Sequence, residues 1–153
     1  MLPHENVILF KTRMKKLFFI LFILFSLRGS SQILSVEISG IRNNKGVLQL
    51  LVYRDKDTFA AETPYRLYNF PKTGMLNEKI TLTIDNLPPG EYGITLVDDE
   101  NENGKIDYRF FVPKEGFGFS NYYFEGNRKP DFESFSFQLS GEKKTVKIQV
   151  QYF

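Results

Sequence analysis

Residues 80–84 read Ile-Thr-Leu-Thr-Ile, and strict alternation of apolar and polar side chains suits a half-buried β-strand and no other regular element. The same period of two returns at 34–38 (Leu-Ser-Val-Glu-Ile), at 135–139 (Phe-Ser-Phe-Gln-Leu) and at 146–152 (Val-Lys-Ile-Gln-Val-Gln-Tyr). Residues 47–53 and 92–97 are apolar on both faces, which predicts central strands. No window carries a sustained helical stripe. Residues 59–68 offer the one place for a short helix, and Pro64 limits it. Turn chemistry separates the runs: Asn43-Asn44-Lys45-Gly46, Pro88-Pro89-Gly90, Asn103-Gly104, Gly126-Asn127 and Ser140-Gly141. Short strands at near-regular spacing with such punctuation predict an all-β fold, an immunoglobulin-like or transthyretin-like antiparallel β-sandwich of about seven strands. Leu82, Ile94, Leu96, Phe137 and Ile148 are its expected core. In the corner Leu87-Pro-Pro-Gly-Glu-Tyr92, Tyr92 stands where its hydroxyl can tie the turn to nearby backbone.

The N-terminal segment has a different character. Lys15 and Lys16 precede an apolar run ending at Leu27, followed by Gly29, Ser30 and Ser31. A basic start, a short apolar stretch and small residues are the order of a secretory signal, and the run is too short to span a bilayer as a retained anchor. Residues 1–31 are therefore expected to be a signal peptide, with Met14 as the true start, and 32–153 a single domain residing in the periplasm or outside the cell. Losing 1–31 removes five of the 20 Lys and Arg and one of the 18 Asp and Glu, leaving 15 against 17. The basic excess of the full chain belongs to the export segment, so it gives no reason to expect nucleic acid as a partner. There is no Cys, and the single His, His4, lies in the segment expected to be removed. Ser-His-Asp, Cys-His and His-ligated zinc chemistry are thereby excluded from the mature domain.

Residues 98–107, Asp-Asp-Glu-Asn-Glu-Asn-Gly-Lys-Ile-Asp, crowd five acids around one Asn-Gly step. Two readings stand. One is a solvated hairpin tip, since Asn-Gly is a strong tight-turn signal. The other is a calcium site, because residues 99–104 fit D-x-[DN]-x-[DN]-G. Asp99, Asn101 and Asn103 would supply side-chain oxygens, Lys105 its carbonyl, and Asp107 the ninth position. Phe110 stands at the twelfth position in place of a bidentate Glu, so a standard EF-hand is ruled out. Asp98 or Glu115 could fill the gap from outside the loop.

Residues 110–124 hold seven aromatics in fifteen positions. Phe117, Phe119, Tyr122, Tyr123 and Phe124 are candidate binding residues for a glycan or peptide. The competing reading folds the loop back so that Phe117 and Phe119 plug the end of the sandwich.

Taken together these stretches resemble domain-of-unknown-function family 2141, exported bacterial proteins without an established activity. The resemblance rests on residues 46–53, the corner 87–92, the turn 99–107, the Pro-Lys-Glu-Gly-Phe-Gly-Phe-Ser-Asn loop at 113–121, and Pro130-Asp-Phe132. At Val97-Asp98 the chain departs from it, where an aromatic and a His are common, so any role of that His is absent here. The resemblance implies export and a β-sandwich and leaves the activity open. The expectation is a non-catalytic module of the bacterial cell envelope, braced by calcium and binding an envelope protein or a glycan. The alternative is a small hydrolase drawing an acid and a base from Asp98, Asp99, Glu100, Asp107 and Glu115.

Overall fold

The computed structural model describes residues 32–110, 112–126, 128–141 and 143–153. The export segment expected at 1–31, together with Phe111 and Asn127, lies outside the described residues. Eight strands form two sheets. The first holds β1 (Ile33–Ser39), β4 (Lys79–Asp85) and β10 (Lys143–Gln149) in the order β10-β1-β4. The second holds β2 (Val47–Tyr53), β3 (Arg66–Pro71), β5 (Gly90–Asp99) and β8 (Gly116–Phe119) in the order β3-β2-β5-β8, with β9 (Ser136–Leu139) on the early half of β5. β6 (Tyr108–Arg109) and β7 (Val112–Pro113) pair only with each other, and the short helices are α1 (Lys56–Ala60) and α2 (Phe132–Phe135).

The all-β sandwich expectation holds, with more strands than the seven or so expected and with β1 and β10 parallel, Val36 opposite Val146, whereas every other described strand pair is antiparallel. Parallel neighbours need a long crossover. Here nearly the whole domain is that crossover, since β1 opens it and β10 closes it.

Alternation sets the core as read from sequence. β4 buries Ile80, Leu82 and Ile84 and exposes Lys79, Thr81, Thr83 and Asp85. These side chains meet Leu34, Val36 and Ile38 of β1 and Val146 and Ile148 of β10, and face Leu48, Leu50, Val52, Tyr92, Ile94, Leu96, Phe137 and Leu139 from the second sheet. All five expected core residues are buried. Tyr92 closes the corner as expected, its hydroxyl donating to the Pro88 carbonyl at 2.8 Å.

The second sheet is covered on both faces, which is why β2 and β5 read as apolar throughout. Its outer face carries an aromatic layer of Tyr53, Phe59, Phe119, Phe132 and Phe135, with Leu51, Phe117, Tyr122 and Phe124 packed against it. Phe117 and Phe119 therefore lie on the flank of the sheet, beside Val97 and Thr95, rather than at the end of the sandwich. α1 brings Phe59 to this layer, and its Asp55 cap accepts from the Thr58 N–H at 2.7 Å. α2 brings Phe132 and Phe135.

One flank of the sandwich is sealed by the chain end. The Phe117 N–H donates to Gln151 O at 3.0 Å and the Gln151 N–H donates back at 2.9 Å, joining β8 to the strand that continues from β10. This close approach requires Gly116 and Gly118. A Cβ on Gly118 would fall 2.6 Å from Ile148, and one on Gly116 would fall 2.4 Å from the Tyr152 ring.

Candidate functional site

β5 delivers two adjacent carboxylates to opposite faces of the second sheet. Tyr92, Ile94 and Leu96 point into the sandwich, so Asp98 continues the inward set and Asp99 turns outward. Both are buried, at 0% and 1% exposure.

Asp99 roots the acidic loop. Its Oδ1 accepts from the Asn103 N–H at 3.2 Å and its Oδ2 from the Gly104 N–H at 2.8 Å. Asn101 Oδ1 accepts from the Asn103 N–H at 3.0 Å, and Asn103 Oδ1 from the Lys105 N–H at 2.8 Å. These side chain to backbone bonds turn alternate residues to one side of the loop. There they meet Asp107, whose Oδ2 accepts from Asn101 Nδ2 at 2.7 Å and Asn103 Nδ2 at 3.1 Å. Asp99, Asn101, Asn103 and Asp107 are thus brought together as the spacing predicts, and Gly104, at φ +71, makes the bend. Lys105 joins these bonds through its N–H, which is not the carbonyl oxygen expected to serve a cation, and its side chain is exposed.

Of the two outside donors considered for the twelfth position, Glu115 reaches the loop and Asp98 does not. Glu115 is buried, and its Oε2 accepts the Asp107 N–H at 2.6 Å. Among the described residues no three carboxylate or imidazole groups meet at one metal-sized point. A cation here would draw on amide and backbone oxygens as well as carboxylates, the mixed oxygen set that suits calcium. Asp99 makes no ion pair among the described residues.

Asp98 is committed elsewhere. Its Oδ1 pairs with Lys72 Nζ, both side chains fully buried, and its Oδ2 accepts from the Tyr152 hydroxyl. Lys72 Nζ also donates to Asn43 O at 3.3 Å. Burial, and then the bond to Asp98, push the Tyr152 phenol well above its ordinary pKa. Arg42 covers the Tyr152 ring at 4.3 Å and sends its Nε to Glu100 Oε1 at 2.6 Å, which Asn43 Nδ2 also reaches at 2.9 Å. The Arg42 bond, followed by that of Asn43, holds the Glu100 carboxyl below the usual Glu value against the opposing effect of burial. Space is tight at this junction. Gly46 sits at φ +68, and a Cβ there would fall 2.0 Å from the Asp99 carbonyl oxygen.

Lys72, Tyr152 and Arg42 were not singled out from sequence. One signal was available: the period-two register of β5 puts an acid on the core side at 98, and a buried carboxylate needs a partner.

The candidate binding rings are largely engaged with one another. Phe119 is buried, 5.3 Å from Phe135 and 6.2 Å from Tyr122. Half-buried Phe117 meets Phe124 at 5.5 Å and stacks on Phe153 at 5.4 Å. Gln151 fixes the Phe124 backbone in both directions, at 2.9 and 2.8 Å. Tyr122 and Phe124 are half-buried, while Tyr123 is 49% exposed.

No curated protein and no solved structure matches this chain. One family pattern does, across residues 36–147, a span that holds both sheets, the acidic loop and the aromatic layer. By that match the chain belongs to the bacterial family described as Uncharacterized protein conserved in bacteria (DUF2141).

Proposed function

We propose that the chain is an exported, non-catalytic β-sandwich module of the bacterial cell envelope, braced by calcium at residues 99–107 and binding a protein or glycan partner. The observation that carries this reading is the convergence of Asp99, Asn101, Asn103 and Asp107 on one side of the loop. Asp99 is 1% exposed there and balanced by N–H groups alone. Acids gathered in this way repel one another, and a hard cation relieves that repulsion. Export is supported by the Lys15-Lys16 pair and the apolar run after it.

The hydrolase reading has less support. Asp98 is committed to Lys72 and Tyr152, Glu100 to Arg42 and Asn43, and Glu115 to the Asp107 N–H. A cleft of about 340 Å³ lies by α1 and α2; its own acids are Asp57, Asp131 and Glu133, and none of the acids of the 98–115 region lines it.

Thermal melting with and without calcium tests the metal. Extracellular calcium modules bind with Kd of roughly 10⁻⁴ to 10⁻³ M, so 10 mM calcium should add about 1.4 to 2.7 kcal/mol, several degrees in Tm. Magnesium should do less, because it sheds water reluctantly. Asp99→Ala and Asp107→Ala should each remove most of the increment, and Glu102→Ala, exposed on the loop, should keep it. An unchanged melt at low salt would leave the loop as a solvated tip.

A further inference from the structure

The acidic loop leads straight into the β6–β7 hairpin, which forms a sheet of its own apart from the two large ones. Among its described residues Phe110 is 85% and Tyr108 60% exposed, and Ile106 just before the hairpin is exposed as well. Phe110 occupies the turn itself, at φ +49. Single exposed apolar residues are ordinary on a protein surface, but three within five positions on a projecting turn form a patch.

Exposed lysines stand on both sides of that patch. Lys105 and Lys114 flank it, both exposed and neither in an ion pair among the described residues. Of the nearby acids, Asp107 accepts from Asn101 and Asn103 and buried Glu115 accepts the Asp107 N–H, while Glu102 is exposed on the preceding loop. The tip thus sets exposed Lys105 and Lys114 beside exposed aromatic rings.

We propose that this hairpin docks on an anionic lipid surface, with Tyr108 and Phe110 entering the interface and Lys105 and Lys114 meeting lipid phosphates. Aromatic rings settle at the headgroup level, and lysines extend toward phosphate while their stems stay in the apolar boundary. A recess would suit a small ligand better, and the hairpin contributes nothing to the cleft by α1 and α2. An anchor this small binds weakly and depends on anionic lipid and on low salt. The proposal does not rest on where the chain resides or on calcium.

Vesicle co-sedimentation tests it, using the chain from Gln32 onward, which contains both hydrophobic clusters entire. The protein should pellet with vesicles containing phosphatidylglycerol and stay in solution with pure phosphatidylcholine, and salt should release it. Phe110→Ser and Tyr108→Ser should each weaken binding about tenfold, the effect of taking part of one ring out of the interface. Leu76→Ser, at an exposed apolar residue in the turn before β4, should bind as the parent does, and the melts of all three should match the parent. Each mixture is run with calcium and with chelator, and binding in either supports the proposal. Failure to bind phosphatidylglycerol vesicles in both overturns it, as would equal binding to phosphatidylcholine or hairpin variants that bind like the parent. A surface made for a protein partner would give the first of these failures.

Discussion

Asp98 and Asp99 are neighbours on one strand, equally buried, and the molecule treats them in opposite ways. Asp98 faces the interior of the sandwich and meets a buried lysine and a phenol. Asp99 faces outward into a loop of further acids and meets only backbone N–H groups. The first carboxylate is balanced by a covalent part of the chain. The second is stabilised by dipoles, which lower the cost of its charge without cancelling it. A single step along a β-strand therefore separates a charge that completes the fold from one that leaves room for a cation. The strand geometry enforces the split, since successive side chains must point to opposite faces.

The comparison breaks most visibly at Lys72. Replacing Lys72 by Met keeps the length of the stem and strands the Asp98 carboxylate in the core, which should cost about 3 to 5 kcal/mol. Urea denaturation at pH 7 measures it, and adding Asp98→Asn to the variant should recover part of the loss. A cost under about 1 kcal/mol would mean that the Lys72 partner does little for Asp98, and the contrast with Asp99 would vanish. The calcium increment should survive in Lys72→Met, because that pair lies on the other face of the sheet.

Much of this architecture is legible in the residues, and the failures have physical causes. Leu82 and Ile148 show their faces because their neighbours along the strand are polar, and Ile94 shows its burial because its run is largely apolar. The Asp99 to Asp107 spacing is local, so a nine-residue window contains the whole arrangement. β3 was missed because Arg66–Pro71 is an edge strand buried only in part, and an edge strand need not alternate. α2 was missed because four residues cannot display a helical period, and Phe135 belongs to it instead of opening the strand that follows. The Lys72, Asp98 and Tyr152 network joins three distant segments, and no local pattern announces a partner 54 positions away. The aromatic layer was hidden for a related reason. Composition announced too many rings for one strand face, but only the fold shows that the second sheet has two apolar sides to cover.

A smaller effect is expected at Tyr152. Tyr152→Phe leaves the ring under Arg42 and removes the hydroxyl from Asp98, so about 1.5 to 3 kcal/mol should be lost at pH 7, as for a hydrogen bond to a charged acceptor. The phenol also has a signature in pH. Its folded pKa is raised, so the native state keeps a proton that the unfolded chain releases near pH 10. Stability from this group is complete below pH 10 and declines above it. Denaturation midpoints measured from neutral to alkaline pH should fall less steeply in Tyr152→Phe than in the parent. Some alkaline slope should remain, because burial also raises Tyr53 and Tyr92.

The smallest effect decides which side of the comparison Glu100 belongs to. It is next to Asp99 in sequence, yet Arg42 and Asn43 hold it, as Lys72 holds Asp98. Its folded pKa lies below the ordinary Glu value of about 4.3, chiefly through the Arg42 bond. The stabilisation is therefore present above that pH and is lost as pH falls through the lower folded value. Arg42 is 46% exposed and solvent screens the pair, so Glu100→Gln should cost under about 1 kcal/mol at pH 7. The gap between parent and variant should close in acid and shrink in salt, which melts at paired pH values would reveal. Calcium gives the sharper reading. If Glu100 is balanced by Arg42, the variant keeps the full calcium increment while Asp99→Ala loses it. A loss as large as that of Asp99→Ala would instead make Glu100 a ligand that leaves Arg42 when the cation binds, and the boundary between balanced and unbalanced acids would move one residue along the chain.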